Sequence, residues 1–290
     1  MFQNKTIIVY GGSGTIGSLI VEYLRNQSPH AIRVFTNDEN SLWEAKQKWG
    51  TNNEMRYFLG DIKDYERVLD SMTKVDYVFN AAAIKHVPFA EENPLEAVKT
   101  NIIGLYNIIQ AGLVHKVEKI LHISTDKAVE PTSVMGATKM IGEKLLQVRW
   151  SQNPEVEMVC VRLGNVWDSR GSIVPLIHEC ERLQKPIPLT SPDMTRYFMS
   201  PEEVIEFITL AFRLGGDGEI YIPKLKVVRI LDVIQGQVGI DYPCEIIGIR
   251  QGEKLTEKLI TEEEFSYCIE KEKYWILPNK IPRENKNDSL

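Results

Sequence analysis

Four consecutive polar residues, Ser124–Thr125–Asp126–Lys127, directly follow an apolar run that is typical of a buried strand. The next predicted element is a helix over Val134 to Trp150, which carries Lys139 near its start. Because helical side chains point back toward the N-terminus, we expect Lys139 to lie beside the polar residues. Hydroxyl, carboxylate and amine groups in one place suit proton transfer. A polar turn in which Ser or Thr caps the helix would use similar residues. These residues alone therefore do not distinguish a catalytic site from a structural turn.

A glycine-rich loop separates the first predicted strand, Thr6 to Tyr10, from an amphipathic helix. Its glycines allow a tight turn and a close approach of the backbone to a pyrophosphate, which the helix N-terminus faces. This context predicts a dinucleotide site. The loop residues expected to contact the cofactor are Gly11, Ser13, Gly14, Thr15, Ile16 and Gly17.

The second predicted strand, Ala31 to Thr36, ends beside the expected adenosine site. Asp38 lies about 20 residues after Gly17, where a carboxylate commonly holds the ribose. Asp38 could equally cap the following helix. No arginine occupies the two positions before it, which favours NAD over NADP as the cofactor. Further expected cofactor contacts are Asn37, Asp61, Ile62, Ala81, Ala82 and Ala83.

Strand and helix patterns alternate along the first half of the chain, which predicts an α/β fold with a Rossmann-like, doubly wound parallel sheet. We expect residues 1–165 to form the dinucleotide-binding domain with the catalytic residues. Residues 166–278 are expected to form mainly a smaller substrate-binding lobe, which includes helices Pro201–Leu214 and Arg229–Val238. Residues 279–290 are expected to form a polar tail.

Composition excludes several classes of protein. The chain of 290 residues has a formal net charge of −6, which argues against a general nucleic-acid binder. Its four cysteines and five histidines show no metal-ligand spacing, so no metal site is predicted. No apolar run approaches the length of a membrane span and no signal peptide is recognisable. We therefore expect a cytoplasmic protein that does not bind membranes.

Seven segments together resemble the extended short-chain dehydrogenase/reductase superfamily, and more narrowly its UDP-N-acetylglucosamine 4,6-dehydratases. The segments are Lys85–Pro88, Ser124–Ala128, Met135–Lys139, Gly164–Val166, Ser169–Ser172, Met194–Arg196 and Ile249–Leu255. The resemblance covers nearly the whole chain. It departs from the superfamily pattern at Met135, where a tyrosine normally removes the hydroxyl proton. Large membrane-anchored dehydratases that retain configuration at C5 also have methionine there, so this chain resembles a short form of the retaining type.

The resemblance implies NAD as cofactor, a UDP-sugar as substrate, and a reaction of C4 oxidation, water loss across C5 and C6, and hydride return to C6. Lys127 would be the base at C5 and Asp126 the acid at C6. Thr125 would hold the C4 oxygen, and Lys139 the nicotinamide ribose. Candidate substrate ligands are Lys85, His86, Asn165, Arg170, Ser172, Arg196, Arg250 and Glu253, among which arginines suit a diphosphate. A C5-inverting dehydratase, a nucleotide-sugar 4-epimerase and a non-catalytic NAD-binding regulator remain alternatives.

Two long predicted helices, Pro94–His115 and Val134–Trp150, carry apolar residues on more than one face. Related folds pair two such helices across a two-fold axis. The sequence therefore predicts a homo-oligomer, a dimer or larger.

Overall fold

The computed structural model describes residues 1–52 and 54–281. Its strands are β1 (Thr6–Tyr10), β2 (Ala31–Thr36), β3 (Met55–Leu59), β4 (Tyr77–Asn80), β5 (Lys119–Thr125), β6 (Glu157–Leu163), β7 (Asn165–Val166), β8 (Ile187–Leu189), β9 (Thr195–Met199), β10 (Asp217–Pro223), β11 (Val227–Arg229), β12 (Cys244–Ile246), β13 (Ile269–Glu270) and β14 (Tyr274–Leu277). Nine of them form one sheet in the order β13-β14-β10-β6-β5-β4-β1-β2-β3. The seven strands from β10 to β3 are parallel, and β14 and β13 add antiparallel edges. The predicted fold class is confirmed.

The helices are α1 (Thr15–Arg25), α2 (Glu39–Trp49), α3 (Tyr65–Ser71), α4 (Val87–Glu92), α5 (Pro94–Val98), α6 (Gly104–His115), α7 (Val134–Gln152), α8 (Ile173–Arg182), α9 (Pro201–Leu214), α10 (Ile230–Val238) and α11 (Glu262–Phe265). Helices α1, α2 and α9 share one apolar core with the sheet, and α3, α6 and α7 share the other. The central strands are buried on both faces, which is why they read as continuous apolar runs.

The elements after residue 165 are divided between the large sheet and a separate lobe. Helix α9, which we expected in the lobe, packs instead with α1 on the large sheet, because Val204, Phe207 and Ile208 join its core. Strands β10, β13 and β14 extend the same sheet. Helices α8 and α10 form the lobe's own core with β8 and β9. The boundary at residue 165 remains a prediction.

The predicted helix Pro94–His115 is interrupted. A π-helical segment, Lys99–Ile103, lies between α5 and α6. Asn101 within it exchanges two hydrogen bonds with the backbone of Ile84, at 2.8 and 3.0 Å, which holds the widened turn against the loop after β4. Such π-helical turns often lie at functional sites.

The predicted tail, 279–290, begins with residues that are attached to the fold. The Asn279 amide donates to the Gln147 carbonyl oxygen at 3.0 Å, and Ser151 donates to the Ile281 carbonyl oxygen at 3.1 Å. Residues 282–290 of that segment lie outside the described residues. The attached part belongs with helix α7.

Candidate active site

A cleft of about 890 Å³ opens where the parallel strands end. It brings together residues that are far apart in the chain. The predicted site residues on its walls are Gly11, Ser13, Gly14, Thr15, Ile16, Gly17, Asn37, Asp38, Ile62, Ala81, Ala82, Ala83, Lys85, His86, Thr125, Lys127, Met135, Lys139, Asn165, Arg170 and Ser172. Five predicted site residues do not line it: Asp61, Asp126, Arg196, Arg250 and Glu253.

The glycine-rich loop forms a cradle at the switch point between β1 and β4. Gly11 has a φ of +71°, and a Cβ there would lie 2.7 Å from the backbone nitrogen of Ala82. A Cβ on Gly17 would lie 2.0 Å from the Gly11 carbonyl oxygen. Helix α1 starts after Gly14 without a side-chain cap, so its first N–H groups are open to an anion. The cradle fits a dinucleotide pyrophosphate.

At the other end of the cradle, Asp38 has the capping role that we considered. Its carboxylate accepts from the backbone of Asn40 and Ser41 at 3.0 and 3.3 Å. Asp61 accepts from the Lys63 backbone N–H at 2.9 Å and does not line the cleft. Among the described residues that line the cleft, no lysine or arginine comes from the loops after β2 and β3.

The catalytic candidates form one hydrogen-bonded group in a 3-10 turn, Asp126–Ala128, at the end of β5. Oδ1 of Asp126 accepts from Thr125 Oγ1 at 2.7 Å and from Lys127 Nζ at 2.9 Å. Lys127 Nζ also donates to Asn165 Oδ1 at 3.1 Å. Asp126 is fully buried, and its Oδ2 has no hydrogen-bond partner among the described residues. Since Thr125 and Lys127 line the cleft, they connect Asp126 to it.

Helix α7 holds Lys139 beneath the same strand end. Ser133 caps this helix by accepting from the Gly136 N–H at 3.1 Å, and a Cβ on Gly136 would lie 2.3 Å from the Lys127 carbonyl oxygen. Lys139 Nζ donates to the Ile123 carbonyl oxygen at 2.8 Å. Burial lowers the pKa of Lys139 to about 8, although the charge of Glu143 opposes this.

Met135 is 3% exposed and lies in a small apolar cluster with Ala90 and Ala97. Ile84 and Val87 pack against the same cluster. Helices α4 and α5 therefore pack against Met135, which stands where the superfamily normally has a tyrosine. Its thioether has no proton to exchange, so Met135 shapes the cleft wall without titrating.

A segment from the lobe crosses the mouth of the cleft. Lys85 Nζ donates to the Arg170 carbonyl oxygen at 2.7 Å, and the Arg170 N–H donates to Thr15 Oγ1 at 3.3 Å. A Cβ on Gly171 would lie 2.3 Å from His86 Cε1, so the backbone packs on the imidazole. Burial, together with the neighbouring cation, lowers the pKa of both Lys85 and His86.

The start of helix α8 also faces the cleft. Ser172, the N-cap residue, makes no side-chain capping bond, and its Oγ is buried without a partner among the described residues. The first N–H groups of α8 are therefore open as well. Together with Lys85 and Arg170, they make this part of the wall suitable for an anion.

The last three predicted substrate ligands lie on the lobe, outside the cleft. Arg250 and Glu253 form an ion pair, and Thr190 donates to Glu253 at 3.1 Å. Arg196 is buried, and its guanidinium donates to the Leu255 carbonyl oxygen at 3.1 Å. Each of these side chains is already hydrogen-bonded within the protein.

Sequence reasoning gave no role to several buried polar residues that support the site. Asn101 Nδ2 donates to Thr138 Oγ1 at 2.9 Å, which ties the π-helical segment to α7. Glu143 accepts from Ser124 Oγ at 2.6 Å and from Arg162 Nε at 2.9 Å. The sequence contains one indication of this network, because the charged Arg162 directly follows the apolar run Met158–Val161 in a central strand. A charge there requires a buried partner.

Residues 7–279 match the family model described as polysaccharide biosynthesis protein. The chain belongs to this family. An uncharacterized membrane protein of Methanocaldococcus jannaschii is 42% identical over 100% of this chain and 90% of its own length. UDP-N-acetylglucosamine 4,6-dehydratase (inverting) of Campylobacter jejuni is 37% identical over 97% of this chain and 85% of its own length. The resemblance to extended short-chain dehydrogenases/reductases is confirmed.

Among solved structures, Pen from Bacillus thuringiensis superimposes on this family member with a TM-score of 0.91. The two sequences are 33% identical, and the match covers 98% of this chain and 91% of the other. Within residues 1–52 and 54–281, none of the helices has the length and apolar character needed to cross a bilayer.

The buried ammonium of Lys139 predicts a pH dependence of stability. Its pKa is about 8 in the fold, whereas the ordinary value is 10.5, so the unfolded chain binds more protons between these pH values. The free energy of unfolding should therefore rise with pH across this window. In urea unfolding between pH 8 and 10, we expect a steeper rise for the wild type than for Lys139→Met. Parallel slopes would show that Lys139 titrates normally.

Proposed function

We propose that this protein is a UDP-N-acetylglucosamine 4,6-dehydratase that retains configuration at C5. Its product would be UDP-2-acetamido-2,6-dideoxy-α-D-xylo-hexos-4-ulose. The hydrogen-bonded group of Thr125, Asp126 and Lys127 carries the proposal, because an elimination needs both a base and an acid beside the sugar. A simple 4-epimerase needs no acid at C6. A non-catalytic regulator would have no use for this group.

The cradle around Gly11 and the open start of α1 would hold the pyrophosphate of NAD, and Lys139 would hold the nicotinamide ribose. Bound there, NAD would supply the hydride acceptor for C4 and the hydride donor for C6, so the reaction would consume none of it. We favour NAD over NADP because the described walls after β2 and β3 offer no cation for a 2′-phosphate and present Asp38 instead.

The hydrogen bonds of Thr125 suggest how the proton of the C4 hydroxyl leaves without a tyrosine. Thr125 already donates to Asp126, so it can accept the sugar proton while it passes its own to that carboxylate. Asp126 would then return this proton through Thr125 Oγ1 to the departing C6 hydroxyl. The Lys127 amine would take the C5 proton and return one to C5. These transfers balance with the loss of one water.

One base on one face of the sugar favours retention, because Lys127 would return the proton from the side on which it removed one. Met135 also supports the retaining assignment through the family resemblance. The C5-inverting dehydratase is the second candidate, since the relative from Campylobacter jejuni carries that name. Inversion would require a second proton donor on the opposite face of the sugar.

The cations at the mouth would bind the diphosphate of the UDP-sugar. Lys85, Arg170 and the open start of α8 beside Ser172 face the same part of the cleft. Arg250 and Glu253 would contact the uridine end from the lobe, and Asn165 would orient Lys127. A cytoplasmic location and the absence of membrane and nucleic-acid partners remain predictions.

The assay that tests this function is incubation of UDP-N-acetylglucosamine with the protein and NAD in deuterated water. We expect a product that has lost one water, with solvent deuterium at C5 and the D-xylo configuration. An L-arabino product would establish inversion. Interconversion with the C4 epimer, without loss of water, would reject the dehydratase. Absence of any turnover of this substrate would reject the proposal as a whole.

Asp126→Asn and Lys127→Ala should each lower kcat by a factor on the order of 10²–10⁴, because each removes a proton carrier from the transition state. Lys127→Ala should also block exchange of the C5 proton with solvent, whereas Asp126→Asn can still permit it. Lys48→Ala, an exposed lysine paired with Glu22 on another part of the surface, is the control and should keep wild-type rates. Met135→Tyr should not be needed for activity. Full activity of Lys127→Ala would remove lysine from the mechanism.

We also propose a homodimer through the outer faces of α6 and α7. Part of the apolar surface of these helices is core, since Leu105, Ile108 and Leu146 are fully buried. Other apolar side chains stay exposed beside the same helices, namely Ile103, Tyr106, Val114, Ile141 and Val148. Several exposed apolar side chains on neighbouring helices are consistent with an interface between subunits.

Light scattering at micromolar concentration should give at least twice the mass of one chain. Ile141→Asp, which places a charge in the proposed interface, should shift the protein toward the monomer. Ile240→Asp, at an exposed position of the lobe, should leave the mass unchanged. A monomeric wild type would refute the dimer.

A further inference from the structure

Arg162 lies next to Ser124 in the sheet, and its side chain is almost completely buried. All five of its N–H groups have an acceptor. Nε and Nη2 donate to Glu143 at 2.9 and 2.8 Å, while Nη1 and Nη2 donate to Glu264 at 2.8 and 2.6 Å. The remaining Nη1–H donates to the Leu259 carbonyl oxygen at 3.2 Å. We call Glu143, Arg162 and Glu264 the buried ion cluster.

The buried ion cluster is a fixed unit. Burial disfavours the charged guanidinium, but the two carboxylates outweigh this effect and raise the pKa of Arg162. Removal of one member leaves an uncompensated charge in the interior, which is far more costly than loss of a surface pair. The fold therefore holds the three side chains in one geometry.

On one side, the buried ion cluster is hydrogen-bonded to the end of β5, just before the turn Asp126–Ala128. Glu143 accepts from Ser124, the residue before Thr125. The other side leads to the segment 250–264, because Glu264 forms a capping box with Thr261 at the start of α11. This segment begins with Arg250 and Glu253.

The same segment lies along the loop that follows the catalytic turn. Lys254 Nζ donates to the Val129 carbonyl oxygen at 2.7 Å, and Thr132 Oγ1 donates to the Gly252 carbonyl oxygen at 3.3 Å. Segment 250–264 is therefore attached at two places. Glu264 joins it to the buried ion cluster, and Gly252 and Lys254 contact the loop that follows Lys127 at the surface.

We propose that the buried ion cluster is a positioning device that couples occupancy of the UDP site to the geometry of Thr125, Asp126 and Lys127. This inference rests on the proposed function, in which Arg250 and Glu253 contact the uridine end. Arg162 is placed away from the cleft and acts through Ser124, so it is a positioning residue. Loss of the coupling should lower kcat more than it raises KM, since the binding groups remain while the reacting groups lose their alignment.

The test compares Glu264→Gln with Glu263→Gln. The first keeps the shape of the side chain but removes a charge and one acceptor oxygen from the cluster, and the second makes the same change at an exposed neighbour. Hydrogen–deuterium exchange of residues 124–134 is measured with and without UDP, alongside kcat and KM. UDP should slow exchange in the wild type and in Glu263→Gln but not in Glu264→Gln. We expect Glu264→Gln to lose about tenfold in kcat with KM within about twofold.

Ser124→Ala, which cuts the link at the catalytic end without touching α11, should abolish the UDP effect in the same way. UDP-dependent protection that persists in Glu264→Gln and Ser124→Ala, or that is absent from the wild type, would overturn the inference. Failure of the proposed function is a separate result, because it shows as no loss of water from UDP-N-acetylglucosamine by the wild type.

Discussion

The active site depends on one constraint, which is that the Asp126 carboxylate has no contact with solvent. A buried carboxylate must be hydrogen-bonded, and its contacts with the cleft run through Thr125 and Lys127. Any proton that reaches Asp126 from a substrate therefore passes through one of these neighbours. In the proposed mechanism, this arrangement would take the place of a titrating residue at position 135.

The surrounding elements keep that group in place. Strand β5 ends beside β6, Gly136 lets α7 start against the Lys127 carbonyl group, and Asn165 holds the Lys127 amine. On the cofactor side, Gly11 allows the loop to pass close to Ala82. The helix starts at Gly14 and Ser172 both lack a side-chain cap, which suits the proposed binding of a dinucleotide and a UDP-sugar in one cleft.

Much of this was readable from the sequence, because strand and helix periods and glycine spacing are local signals. Thr125 and Lys127 at the end of β5 and the loop after β1 all line the cleft, because the carboxyl ends of parallel strands lie at one edge of the sheet. Helix α9 was expected in the lobe but packs on the large sheet. An amphipathic pattern shows that one face of a helix is buried but not which element covers it. The π-helical segment was missed because it depends on Asn101 meeting Ile84 across the fold. The partners of Arg162 come from α7 and α11, so no spacing reveals them.

The proposed reaction is an internal redox elimination in which the hydrogen removed from C4 returns to C6 of the same molecule. The most direct measurement uses UDP-N-acetylglucosamine with deuterium at C4, and locates the label in the product by NMR and mass spectrometry. We expect deuterium at C6, with one atom retained per turnover and no accumulation of reduced cofactor. Loss of the label, or reduced cofactor formed in proportion to product, would contradict it.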